Sequence, residues 1–246
     1  LHGEILRYHD YWLKGEDNGV ADEKPVKIFV MGENVWRSED EWPLARAETV
    51  SYYIRSQGRA NSLSGDGWLD REPPQAREPA DVYVYNPIDP VPTSGGQIVS
   101  DPALVAAGAY DQRPIESRHD VLVYTTPPLD SYMEVTGPIT VTLYASSSAQ
   151  DTDFTAKLVD VRPDGYARNL TDGIIRARAR KPRAKVDPIV PGEVYEYTID
   201  LWATSNLFWK GHRIRLEVSS SNFPRFDRNA NTGERIGSDR VMVPAL

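Results

Sequence analysis

The spacing of apolar residues changes once, at Pro25, and that change limits the folds open to this chain. Before it, Ile5, Leu6, Tyr8, Trp12 and Leu13 recur at helical spacing and Gly15 follows as a stop. Residues 3–14 are therefore predicted to form a helix. Glu16 to Lys24 reads as a polar, acidic connector. After Pro25, Val26, Ile28 and Val30 alternate with Lys27 and Phe29, which is the period of a strand. No convincing helical run appears downstream. Strands are predicted over 49–55, 81–86, 121–125, 134–145, 154–161, 173–180, 193–201 and 212–219. Turn chemistry separates them: Ser64 to Gly67, Pro163 to Gly165, and Trp209 to His212. The 19 prolines and 17 glycines fall mainly between these runs. Many short strands punctuated in this way predict an all-β chain, a jelly-roll β-sandwich, with one short N-terminal helix.

A chain of 246 residues suits one large β-domain or two small ones. It contains no cysteine, which excludes disulfides, zinc–thiolate sites, iron–sulfur clusters and a cysteine nucleophile. The net charge of −8 argues against nucleic acid and against anionic lipid as partners. No apolar run approaches the roughly 18–20 residues that cross a bilayer. The first residues lack the charged and apolar regions of a signal peptide, so the expected location is the cytoplasm. The sequence opens at Leu1 inside a helical pattern and reads as a fragment or a processed chain.

Chemistry-bearing patterns are sparse. No Gly-x-Ser-x-Gly elbow exists: Ser64 lacks the preceding glycine, and Ser146–Ser148 and Ser219–Ser221 lack flanking ones. His2, His9, His119 and His212 would each need a serine and a carboxylate supplied by the fold, and His212, after Gly211, reads as a turn residue. Asp151, Thr152 and Asp153 resemble the start of a calcium loop, but the required glycine and closing glutamate are missing. Gly95 and Gly96 are not followed by Lys-Ser/Thr or a helix, so they do not form a phosphate loop. No catalytic residue, metal or cofactor is expected within the chain. Trp36 and Trp42 flank an acidic turn and read either as a carbohydrate platform or as core and interface residues. Asn222, Phe223, Arg225, Asp227 and Arg228 leave the strand 212–219 together. They suggest an interlocked loop with arginines paired to carboxylates, serving as a structural corner, a site wall or a domain contact.

Several of these segments, taken in order, resemble the C-terminal domain of the CocE/NonD serine hydrolases. They are Val30 to Arg37 with Glu41 to Pro43; Tyr85 to Pro92 with Gly95 and Gly96; Asp111 to Pro114; Ser146 to Ser148 leading to Asp151 to Leu158; Gly211 to Ile214; and Asn222 to Asn229. That group includes X-Pro dipeptidyl-peptidase, cocaine esterase, α-amino-acid ester hydrolase and glutaryl acylase. The resemblance covers nearly the whole sequence.

It implies an α/β-hydrolase domain carrying the Ser, Asp and His of a triad, followed by a galactose-binding-like jelly roll. Residues 1–24 would be the last helix and linker of the hydrolase domain, and 25–246 the jelly roll. The family histidine lies in a Pro-Trp-x-His context that no histidine here has, so none inherits the role. The implied partners are the α/β-hydrolase domain of the same parent protein and a small ester or amide substrate at the interface. Gln97, Ile98, Val99 and Ser100, after the glycine pair, would contribute to the substrate pocket; the alternative is that Ile98 and Val99 plug the sandwich edge. A first helix without its partner domain would leave Trp12 and Leu13 to seek another contact, often a second copy, giving a homodimer. The rival from another class is a free-standing carbohydrate- or ligand-binding module, marked by an aromatic strip on an exposed sheet face.

Overall fold

The computed structural model describes residues 2–98, 101–103, 105–181, 186–234 and 237–246. A helix, α1 (His2–Lys14), opens the chain and stops at Gly15, which adopts φ +72° and donates its N–H to Tyr11 O. Two strands follow as a hairpin, β1 (Val26–Val30) and β2 (Val35–Glu39). The main sheet has six strands: β3 (Tyr53–Arg55), β4 (Trp68–Asp70), β5 (Leu122–Thr125), β7 (Asp153–Val161), β8 (Ala167–Arg176) and β10 (Arg213–Ser219). Their order across the sheet is β3-β4-β5-β10-β7-β8. A long two-stranded ribbon, β6 (Met133–Ala145) with β9 (Tyr195–Phe208), lies against it.

The architecture is a β-sandwich. Phe154, Ala156 and Leu158 of β7 and Ile214, Leu216 and Val218 of β10 point inward, as do Leu122 and Tyr124 of β5. They meet Leu143 of β6 and Tyr197, Ile199 and Leu201 of β9, with the Phe154 and Tyr197 rings 4.7 Å apart. At Gly173 the two layers approach so closely that a Cβ would collide with the main chain of Asp200. Only glycine fits there. Pro138 stands in β6 beside a bulge, where its missing N–H is tolerated because β6 pairs with β9 alone.

The sheet is also covered on its other face. The connection from Asn86 to Val121 folds back over it, and Val91, Ile115, Val121 and Val123 make a second, smaller core there. Arg215, Glu217 and Lys157, on the face of β10 and β7 turned away from the main core, are therefore buried.

The structure corrects several expectations. A four-residue helix, α2 (Arg113–Glu116), interrupts the long connection where none was expected. The segment 81–86 is not a strand; it makes one bridge, Tyr85 to Ala245. β8 begins six residues before the predicted 173 and ends at Arg176, giving way to a 3-10 turn over Ala177–Ala179. β9 runs on to Phe208, and β2 and β4 were not anticipated.

Candidate functional site

Two of the segments singled out in the sequence come together on the covered outer face. Residues 91–96 run beside 223–225: Phe223 N–H bonds Val91 O at 2.9 Å, Thr93 N–H bonds Phe223 O at 2.7 Å, and Arg225 N–H bonds Thr93 Oγ1 at 3.2 Å. The glycine pair then makes a neck. Gly96 and Gly108 exchange two main-chain hydrogen bonds, at 2.6 and 3.0 Å, closing the loop between them. Gly95 and Gly96 adopt φ +69° and +102°, which favour glycine. Gly96 has a second reason to be glycine, because a Cβ would lie 2.9 Å from Arg225 Nη1.

Arg225 supports this neck from below. Its Nη1 pairs with Asp172 Oδ1, while Asn222 Nδ2 donates to Asp172 Oδ2 at 2.7 Å. Asp172 is buried on β8, so both of its oxygens are bonded from the 222–225 loop. Asn169, three residues earlier on β8, accepts Tyr110 N–H through Oδ1 at 2.6 Å. Segment 110–112 thus lies alongside β8, and Gln112 N–H completes the pairing to Ala167 O at 2.8 Å.

Arg228 donates to Pro87 O at 3.2 Å and stacks over the Phe223 ring at 5.3 Å. Asp227 is exposed beyond it. Gln97 is exposed and Ile98 half-buried at the mouth of the loop, while Val99 and Ser100 lie outside the described residues.

Trp36 and Trp42 belong to a different region, the β1–β2 hairpin and the turn after it. Trp36 is exposed, packs edge-on against Phe29 at 5.3 Å and lies under Lys27 Nζ at 5.7 Å. Beneath the hairpin, Arg46 and Arg37 bond Glu39 and hold its carboxyl down to about 2.

The carboxylates near Asp151 are tied to arginines. Asp153 pairs with Arg176 at 2.9 Å and Asp151 with Arg178 at 3.0 Å, and Asn229 Nδ2 donates to both. Burial raises the Asp153 carboxyl even so. Among the described residues no three His, Asp or Glu side chains gather as a metal site would require. His212 Nδ1 lies 2.7 Å from Asp160 Oδ1, but Asp160 Oδ2 is taken by Arg168 at 3.1 Å. That is a His–Asp pair inside an ion cluster, and no described serine hydroxyl bonds to it.

Sequence reasoning missed Asp172, Asn169, Gln112 and Glu116, the buried polar groups that hold the loops. All four lie in stretches where no strand was predicted, and polar residues between strands read as loop, so nothing in the pattern marked them as buried.

Residues 18–240 match the X-Pro dipeptidyl-peptidase C-terminal non-catalytic domain. The chain belongs to that family. A curated relative, cocaine esterase from a Rhodococcus species, is 47% identical over 234 residues, covering 95% of this chain and 40% of the relative. An aminopeptidase from a marine-sediment Thaumarchaeota archaeon superposes with a TM-score of 0.78 at 33% identity, over 98% of this chain and 40% of that one. An α-amino acid ester hydrolase superposes with a TM-score of 0.80 at 28% identity, over 98% and 41%. The chain spans about two fifths of the length of these proteins. The β-sandwich, the absence of an elbow serine from the sequence and the family's non-catalytic character agree. Among the described residues no helix is long and apolar enough to cross a membrane.

Proposed function

We propose that this domain packs on an α/β-hydrolase domain of the same parent protein, in the cytoplasm, and that its glycine-necked loop forms one wall of a pocket for an acyl ester or amide. In that arrangement residues 1–24 belong to the hydrolase side and 25–246 to the sandwich. The observation that carries the pocket role is the neck itself. Gly95, Gly96 and Gly108 are held over the buried Arg225–Asp172 pair, so Gln97 and Ile98 leave a rigid base rather than a loose loop. A pocket wall needs that rigidity, because reacting groups must be held in place to within a fraction of an ångström. Trp36, Trp42 and the exposed residues of the 222–228 loop are assigned to domain contact.

The test uses the full-length parent with Ile98→Ala. An Ile that touches the acyl group contributes roughly 1–3 kcal/mol of discrimination, so kcat/KM should fall about 10- to 200-fold more for one acyl length than for another. Equal loss for a short and a bulky acyl ester, together with a lowered Tm, would mean that Ile98 only plugs the sandwich edge.

The glycan-module reading draws on Tyr144 and Trp202, both exposed on the outer face of the β6–β9 ribbon. Tyr144 pairs with Glu196 across the ladder, and Trp202 lies six residues further along β9. That separates the rings by roughly 20 Å. They do not form one stacking platform, and the hydrolase-accessory reading is preferred.

A further inference from the structure

The outer face of the sheet holds two glutamates that the pocket role does not use. Glu116, on α2, is fully buried, and Glu217, on β10, is 4% exposed. Each bonds a cation through one oxygen only. Glu116 Oε2 accepts Arg215 Nη1 at 2.6 Å, and Glu217 Oε2 lies 3.2 Å from Lys157 Nζ. The other oxygen of each, Oε1, is buried without a donor. Arg215 and Glu217 stand two residues apart on one face of β10, so the pair that Arg215 makes sets the Glu116 carboxyl beside that of Glu217. Two carboxylate oxygens facing each other repel, whereas one proton between them makes a donor and an acceptor at once.

We propose that Glu217 keeps its proton in the fold and donates it to the neighbouring Glu116 carboxylate, and that this hydrogen bond clamps α2 and the glycine neck to the central sheet in a pH-dependent way.

The route from the pair to the neck is continuous. Lys157, between β10 and the long connection, donates to Gln112 Oε1 at 2.7 Å as well as pairing with Glu217. Gln112 is fully buried and donates Nε2 to Ser94 O and Tyr110 O, both at 3.0 Å. Ser94 precedes Gly95. Gln112 O also accepts the N–H of Glu116 at 2.8 Å. The groups facing the pair are Lys157 from β7, Arg215 from β10 with its Nε on Thr125 Oγ1 of β5, and, from α2, Arg113, whose charge reaches Glu116. Lys157 and Arg215 each bond the Oε2 atom of one glutamate, and no donor among the described residues bonds either Oε1.

Burial, with the Glu116 charge beside it, raises the Glu217 carboxyl to about 7, against the opposing pull of Lys157. A group whose folded value is raised stabilises the fold below its ordinary range, and that stabilisation is lost as pH rises through the folded value. The window therefore runs from about pH 4.5 to about pH 7. Asp153, raised by burial on the same sheet, also contributes to the overall pH dependence but cancels between wild type and a Glu217 variant.

The experiment follows amide hydrogen exchange over residues 94–112, and Tm, from pH 5 to pH 8 in the wild-type chain and in Glu217→Gln. In the variant the glutamine amide supplies the donor to Glu116 at every pH. The wild type should show the opening equilibrium of 94–112 rising by up to about tenfold per pH unit through the window. Glu217→Gln should flatten that rise and melt higher than wild type at pH 8. The same slope in both proteins would overturn the proposal. Should Glu217→Gln fail to fold, carbon-13 titration of the wild-type glutamate carboxyls decides. A glutamate carboxyl that titrates near pH 7 supports the proposal; all glutamates titrating below pH 5 exclude it.

Discussion

A carboxylate removed from water depends on each of its partners, and Asp172 shows how this family of loops uses that dependence. Asp172 is buried on β8 and is bonded by Arg225 and Asn222, both from the segment after β10. Removing one partner of a buried pair leaves an uncompensated charge, which costs about 3–5 kcal/mol. Arg225→Ala should therefore lower stability by that amount, measured as the urea midpoint at constant m-value. Asp172→Asn combined with Arg225→Ala should recover part of the loss, because no charge is then left unpaired. A loss below about 1 kcal/mol for the single variant would show that Asp172 is hydrated in solution. This arrangement was half legible in the sequence. The arginines leaving the strand 212–219 indicated ion pairing, but their partner could not be named. Asp172 lies 53 residues before Arg225 in the chain, and only the sheet register brings the two together.

At the scale of elements, α1 is oriented against the usual rule. Arg7, Asp10 and Tyr11 are its half-buried residues, and Arg7 pairs with Glu23 at 2.8 Å while Asn18 caps Arg7 O at 2.7 Å. Its apolar face, Ile5, Leu6, Tyr8, Trp12 and Leu13, is exposed, with Leu13 at 78%. An apolar face turned outward is stable only if something covers it, since burying each such side chain is worth about 1.5–3 kcal/mol. In the isolated chain a second copy is the available cover. The chain is expected to dimerise at high micromolar concentration, and Trp12→Glu with Leu13→Glu should abolish the dimer without changing Tm by more than a degree or two. Analytical ultracentrifugation checks this: a wild type that stays monomeric, or a double variant that still dimerises, rejects α1 as the contact. The helix itself was readable because its period is clean, and β10 was readable for the same reason, with Ile214, Leu216 and Val218 in strict alternation. β8 was not, because Asn169, Thr171 and Asp172 are buried polar residues that break the pattern an apolar strand would show. Segment 81–86 misled in the opposite direction. Its alternation is real, with Val82 and Val84 exposed and Tyr83 and Tyr85 turned inward, but beyond the Tyr85–Ala245 bridge it has no ladder. Period reports which face is buried; it does not report whether a neighbouring strand exists to bond.

Across the whole molecule, the match to a non-catalytic domain can be compared with what the described side chains could do. Acyl transfer needs a nucleophile activated by a base within about 2.6–3.2 Å, and that base oriented by a third group. The described residues come nearest at His212 and Asp160, but the second Asp160 oxygen accepts Arg168, which also bonds Asn206. His2 and His9 stand on the exposed helix, and His119 offers its carbonyl to Asn61 at 3.0 Å. Neither Ser64 nor either serine run, Ser146–Ser148 and Ser219–Ser221, stands at the strand-to-helix turn that would present a hydroxyl. The 246-residue chain, assayed alone against p-nitrophenyl esters and X-Pro anilides, should therefore release product no faster than buffer. Trace contamination by a host esterase is the main confounder, so the assay is repeated after a serine-directed phosphonate and on the Arg225→Ala variant. Host activity would respond to the phosphonate but not to the substitution. Turnover that persists through purification, stops with the phosphonate and falls with Arg225→Ala would place a catalytic serine in this sandwich and reverse the assignment of a supporting role.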